Sequence, residues 1–224
     1  YGVDRGVLYI SGEGLVWNSL TSIEEVTGDA STSSYYFDGR KTIDVVSSED
    51  FALHVMAYVY PEEFEDYRDV FNFTYRTMHN AGYKIHLVYN ATAVPVGRVW
   101  TTRSDSVTIA DAEWDFSTVP THIPEGKPTA HLVVDTLLAN PEALQALEDL
   151  LYGTEDTGPT FPTAEEVIDI FGEHSIFVVV LHDDGSWTAT GPDDWFEFPD
   201  ATSFEITSPS VVYLDSETYN ISSY

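Results

Sequence analysis

Seven histidines, at positions 54, 79, 86, 122, 131, 174 and 182, are the residues whose chemistry is tested first, because an imidazole near neutrality can bind a metal or move a proton. Their spacing points to neither role. No two of them stand in the His-Glu-x-x-His spacing that puts two imidazoles on one helix face around zinc. The chain also lacks a Gly-x-Ser-x-Gly elbow, a P-loop and a Gly-x-Gly-x-x-Gly fingerprint. His86 and His131 fall inside strand-like runs, where a hydrogen-bonded structural role is expected. The pairs Glu62/Glu63, Asp183/Asp184 and Asp193/Asp194 have the residue types for acid–base work, but among 38 carboxylates adjacent pairs arise by chance, and each reads as a solvated turn. Asp183-Asp184-Gly185 offers hard oxygen ligands yet lacks the alternating Asp/Asn positions and terminal Glu of a calcium loop. Asn72, Asn90 and Asn220 begin glycosylation sequons in a Ser- and Thr-rich chain, where such matches are unsurprising. The expectation is no catalytic residue, no cofactor and no dedicated metal site.

The elements that would position any site are mostly short strands. Tyr83, Ile85, Leu87 and Tyr89 alternate with His86, Val88 and Asn90, the period of a half-buried strand. Ser175 to Leu181 followed by Asp184-Gly185 and Ser186 to Thr190 reads as a hairpin. Further strands are expected at Gly6 to Ile10, Ser34 to Asp38, Phe51 to Tyr60, Phe71 to Arg76, Ala112 to Ser117, Ala130 to Thr136, Phe204 to Thr207 and Val211 to Leu214. About ten strands at this spacing predict a mainly β fold, a sandwich or barrel, in one domain over residues 1–224. Two helices interrupt it. Asn140 and Pro141 open one near 141–152, with Leu144, Leu147, Leu150 and Leu151 on its stripe and Gly153 closing it. Thr163 and Glu166 in capping-box spacing open the other near 164–171, closed by Gly172. A short helical turn is expected at Pro61 to Tyr67, and Thr154 to Pro162 reads as an exposed connector.

Charge excludes one class of function. Nine Lys and Arg against 38 Asp and Glu leave a net charge of −29, and Pro128 to Tyr224 holds no Lys or Arg. Sequence-specific nucleic-acid binding needs clustered bases that this chain does not have. Such a surface suits contact with nucleic acid without adhesion, or hydration in concentrated salt. There are no cysteines, so no disulfide or Cys-ligated metal contributes, and no apolar run approaches the roughly 20 residues that span a bilayer.

Several ordered segments resemble a family of tail structural proteins of long-tailed viruses, especially those of actinobacteria. They are Gly2-Val-Asp-Arg-Gly-Val-Leu-Tyr9, Val16-Trp-Asn18, Tyr36-Phe-Asp-Gly39 and Tyr58-Val-Tyr-Pro-Glu-Glu-Phe64, then Phe73-Thr-Tyr-Arg-Thr77 and Gly82 through Asn90. Pro128 through Asp135, Leu147 through Thr154, and the ending from Ala201 to Ser222 complete the set. The resemblance implies a tail-tube-like β-sandwich that forms hexameric rings, stacks them with other tail proteins, and passes DNA without binding it. It places the chain in the virion tail, assembled in the host cytoplasm. The scarcity of lysine departs from that pattern and would also suit a virus of a salt-loving archaeon. Intersubunit contacts are expected in the segment before Trp17, in Val94 to Ser106 and in Thr154 to Pro162, with Arg5, Trp17, Arg98 and Arg103 as contact residues. The arginines there would pair with acidic neighbours. Two alternatives stand beside this reading. One is a distal-end or minor tail protein, including a receptor- or carbohydrate-binding tip with Trp100, Trp187 or Trp195 as an aromatic platform. The other is a secreted halophilic hydrolase, for which the sequence supplies no motif.

Overall fold

A computed structural model describes residues 2–48, 50–58, 69–79, 81–97, 112–123, 126–175 and 177–190, and the backbone of four short strands beyond. The protein is mainly β, with a large antiparallel sheet of twelve strands and two helices. In chain order the strands are β1 (Val3–Ile10), β2 (Glu13–Trp17), β3 (Leu20–Val26), β4 (Ser31–Phe37), β5 (Arg40–Ser47), β6 (Ala52–Ala57), β7 (Phe71–His79), β8 (Gly82–Gly97), β9 (Ala112–Thr118) and β10 (His131–Asp135). Helices α1 (Pro141–Tyr152) and α2 (Ala164–Glu173) follow, then β11 (Val178–Leu181) and β12 (Trp187–Thr190). The strands β13 (Phe196–Glu197), β14 (Ser203–Ile206), β15 (Val212–Asp215) and β16 (Ile221–Ser223) form a separate four-stranded sheet.

The large sheet runs β12-β11-β4-β5-β10-β8-β7-β1-β2, and a branch of β9, β6 and β3 leaves it at β8. The 16-residue β8 makes the branch possible. Its first half, Lys84 to Val88, pairs with β10, and its second half, Ala91 to Gly97, pairs with β9. Between the halves Asn90 has φ 49°, a left-handed conformation that asparagine tolerates better than most residues, and the β7–β8 register slips there. The slip is held by side chains: the Asn90 amide donates to Asn72 Oδ1 (2.9 Å) and Asn90 Nδ2 donates to the Val119 carbonyl (3.1 Å). Two of the three sequon asparagines thus have structural hydrogen bonds; Asn220 lies outside the described residues.

Two cores result, one on each face of the same strands. Ile85, Leu87 and Tyr89 of β8 join Val7, Tyr9, Tyr35, Ile43 and the apolar stripes of both helices. Val88 and Ala91 join Leu8, Trp17, Leu53, Val55, Phe73, Trp114 and Phe116 of the branch side. The period-2 alternation across Tyr83 to Asn90 is therefore present, but the strand is not half-buried: its second face, with His86 and Val88, is buried as well. A strand carries no sign of the layer that will cover it, which is why alternation alone suggested one wet face.

The helices follow their punctuation. Asn140 Oδ1 accepts from the Glu142 amide at 2.9 Å, and Gly153 closes α1 with φ 76°, where a Cβ would lie 2.6 Å from the Thr157 carbonyl. The buried stripe of α1 is Ala143, Leu147 and Leu151, at i, i+4 and i+8; Leu144 is only partly buried and Leu150 is exposed. On α2 both halves of the capping box form, and Val167 and Phe171 are buried, with the helix continuing past Gly172 to Glu173. Removing the cap by Thr163→Ala is expected to cost about 1 kcal/mol, read as a lower urea midpoint with unchanged slope.

The turn before β12 also forms as read. Gly185 has φ 82° and Leu181 faces Trp187 across the hairpin. The strands β2, β3 and β5 were not expected. The first two are edge strands with largely exposed residues, and β5 opens on Arg40 and Lys41. The expected turn at Pro61 to Tyr67 lies outside the described residues.

Candidate functional site

A column of stacked rings crosses the branch-side face of the large sheet. Phe51 lies over His131 (centroids 4.4 Å, 16° between planes), His131 beside His86 (5.2 Å, 19°), and His86 over Tyr75 (4.4 Å, 11°). The register produces the column: His86 is opposite Val133 on β10 and Tyr75 on β7, and His131 is opposite Val88, so the rings share one face. Glu25 reaches the column from β3, in the other layer. It accepts a hydrogen bond from the Tyr75 hydroxyl (2.7 Å), and its Oε1 lies 3.4 Å from His86 Nδ1.

The two imidazoles bond to each other, His86 Nδ1 to His131 Nε2 at 3.0 Å, and His86 Nε2 meets Thr77 Oγ1 at 2.8 Å. Both rings are neutral. Burial, with the charge of Lys84 as a smaller cause, pushes His86 down to about 3, and burial followed by the neighbouring His86 holds His131 well below the usual imidazole range. The contact with Glu25 is therefore between a neutral ring and a carboxylate, not an ion pair. Burial, and after it the same carboxylate, raises the Tyr75 phenol well above its ordinary value. One nitrogen has no partner: His131 Nδ1 is buried and unbonded. An unmet buried polar atom costs about 1–3 kcal/mol, so this pair is an expensive way to fill a core.

The expected contact residues are distributed differently. Arg5 lies at a bulge in β1 with φ 49°, and its guanidinium sits 3.8 Å from the centre of the Tyr152 ring of α1, inside the chain. Trp17 is only 4 % exposed. Its indole packs edge-on to Trp114 at 5.0 Å and donates to Ser19 Oγ, so it belongs to the chain's own core rather than to an outward-facing surface. Arg98 and Arg103 lie outside the described residues, as do Trp100, Trp195 and the side chain of Trp187. The 154–162 connector folds back on the chain: the Thr160 amide donates to the Leu150 carbonyl at 2.7 Å, and the Phe161 ring packs against Tyr9 and Tyr89.

Several bases have acidic partners within the chain. Arg76 makes a two-pronged bond to Asp4 (2.9 and 2.8 Å), Lys41 meets Asp44 at 2.8 Å, Lys84 lies 3.8 Å from Asp135, and Lys127 pairs with Asp183. Arg76 also lies over the Tyr83 ring, whose hydroxyl donates to Glu148 of α1, so one arginine ties strand to strand and strand to helix. An open cleft of about 540 Å³ is lined by Asp29, Ser48, Asp50, Lys127, Pro120 and Pro128.

The histidine column was missed in the sequence because its members lie 45 residues apart and meet only through the β8–β10 register. The one available signal was that both histidines stand in apolar strand runs. No family model, no curated protein and no solved structure matches the chain.

Proposed function

We propose that this protein is a structural subunit of a viral tail, assembling through its sheet edges into stacked rings of the tail tube through which DNA is ejected. The observation that carries the reading is the open-ended sheet. Among the described residues β2 and β12 each pair on one side only at the two ends of the main path, and β3 does so at the end of the branch. An unpaired edge presents free amide and carbonyl groups to a strand of another subunit. The edges β2 and β3 also carry exposed Val16 and Val26, apolar side chains that assembly would cover. Net charge of −29 supports the same reading, because an acidic surface repels the phosphate backbone of passing DNA. The sequence resemblance to tail structural proteins supports a viral tail as the assembly. No described helix is long and apolar enough to cross a membrane.

A second reading, a distal-end or minor tail protein with a receptor- or carbohydrate-binding role, is favoured by the open cleft lined by Asp29, Asp50 and Lys127. Negative-stain electron microscopy in dilute buffer and in molar salt separates the two. Rings and tubes are expected, and tubes only at high salt would add adaptation to concentrated salt, where the Debye length falls to about 3 Å. Monomers in both conditions would overturn the tube reading and leave the distal-end one.

A further inference from the structure

We propose that Glu25, His86 and His131 form a binding site for a borderline-soft divalent cation, zinc above all, at the joint between the two sheet layers. The three donor atoms lie within 4.8 Å of one another. Tetrahedral zinc with bonds of 2.0–2.1 Å sets its donors about 3.3 Å apart. The pairs His86 Nδ1 to His131 Nε2 and His86 Nδ1 to Glu25 Oε1 measure 3.0 and 3.4 Å, so a cation fits after the two rings separate by a few tenths of an ångström.

The surroundings suit a ligand set. The bond between the rings places a hydrogen on one of the two facing nitrogens, so binding shifts that ring to its other tautomer, leaving each ring with its hydrogen on the nitrogen that faces away, Nδ1 of His131 and Nε2 of His86. The second of these would then donate to Thr77 Oγ1, 2.8 Å away, as the outer hydrogen bond that fixes a ligand's tautomer. Phe51 and Tyr75 clamp the faces of the two rings, and the Tyr75 hydroxyl orients Glu25. Glu25 is exposed, which gives the cation a path and leaves a coordination position open to water. Two nitrogens and one carboxylate prefer zinc or cobalt to calcium or magnesium, which take all-oxygen shells. A purely structural pair would be served better by apolar side chains, which leave no buried nitrogen unbonded.

The test uses the full chain stripped with EDTA. Calorimetric titration with zinc chloride is expected to give one site per chain, and cobalt(II) the visible absorption of a four-coordinate ion, with neither reproduced by calcium or magnesium. Glu25→Gln, an exposed change that leaves the core intact, is expected to weaken zinc binding by about tenfold or more. His131→Gln is expected to abolish it. Should that variant not fold, nitrogen NMR of the wild-type imidazoles decides, because zinc must shift His86 Nδ1 and His131 Nε2. Unmoved imidazole resonances, or zinc binding indifferent to Glu25→Gln and matched by magnesium, would overturn the site and assign any binding to the acidic surface.

Discussion

Replacing Trp114 by alanine is expected to cost about 3–5 kcal/mol, the range for removing a large buried aromatic side chain. Trp114 is fully buried on β9, where its ring meets the edge of Trp17 at 5.0 Å and lies in the same core as Phe73 and Phe116. It is the largest fully buried side chain of the molecule's described residues, and it stands where β9 joins β8 to β6. A cavity of that size cannot collapse without moving both layers. Since domains of ordinary stability have only about 5–15 kcal/mol in total, the variant should unfold at a much lower urea concentration than the parent. A midpoint shift corresponding to less than about 1 kcal/mol would show that this core is loosely packed.

Acid is expected to destabilise the metal-free protein through His86 and His131. The sign follows from linkage. Both folded values lie below the ordinary 6.5, His86 at about 3, so the unfolded chain takes up protons that the folded chain refuses. The stability these rings contribute is complete above pH 6.5 and is lost as the pH falls toward their folded values. The loss is roughly 1 kcal/mol per pH unit for each excluded proton. The groups facing the pair set the size of the effect: Glu25 from β3 and Tyr75 from β7 lie against His86, and Lys84 on β8 opposes its protonation. Urea unfolding with EDTA in molar salt, between about pH 6.5 and 5, isolates these groups. Lower pH would also protonate carboxylates and relieve the self-repulsion of 29 excess negative charges. Half-buried His54 and His174 face the exposed Asp115 and Glu142, pairs at the surface that molar salt screens. A flat profile in this window would mean that the folded state protonates the pair, and with it that the pair is not dry.

The sequence by itself determined the features whose causes are local. Asn140-Pro141, Thr163 with Glu166, and Asp184-Gly185 each fix their backbone within a few residues, and the two helices and the β11–β12 hairpin stand where those residues place them. Composition determined the net charge of −29 and the scarcity of Lys and Arg, since charge is a sum that needs no geometry. The alternation of Ile85, Leu87 and Tyr89 against His86 and Val88 gave the strand, but one strand cannot state whether its second face is covered. That was decided by the branch of β9, β6 and β3, whose edge strand is too exposed to be recognised alone. Tertiary structure likewise took Trp17 into the core and Arg5 onto Tyr152. It also brought Glu25, His86 and His131 together from three strands, because strand register, a property of partners and not of any one segment, sets which side chains meet.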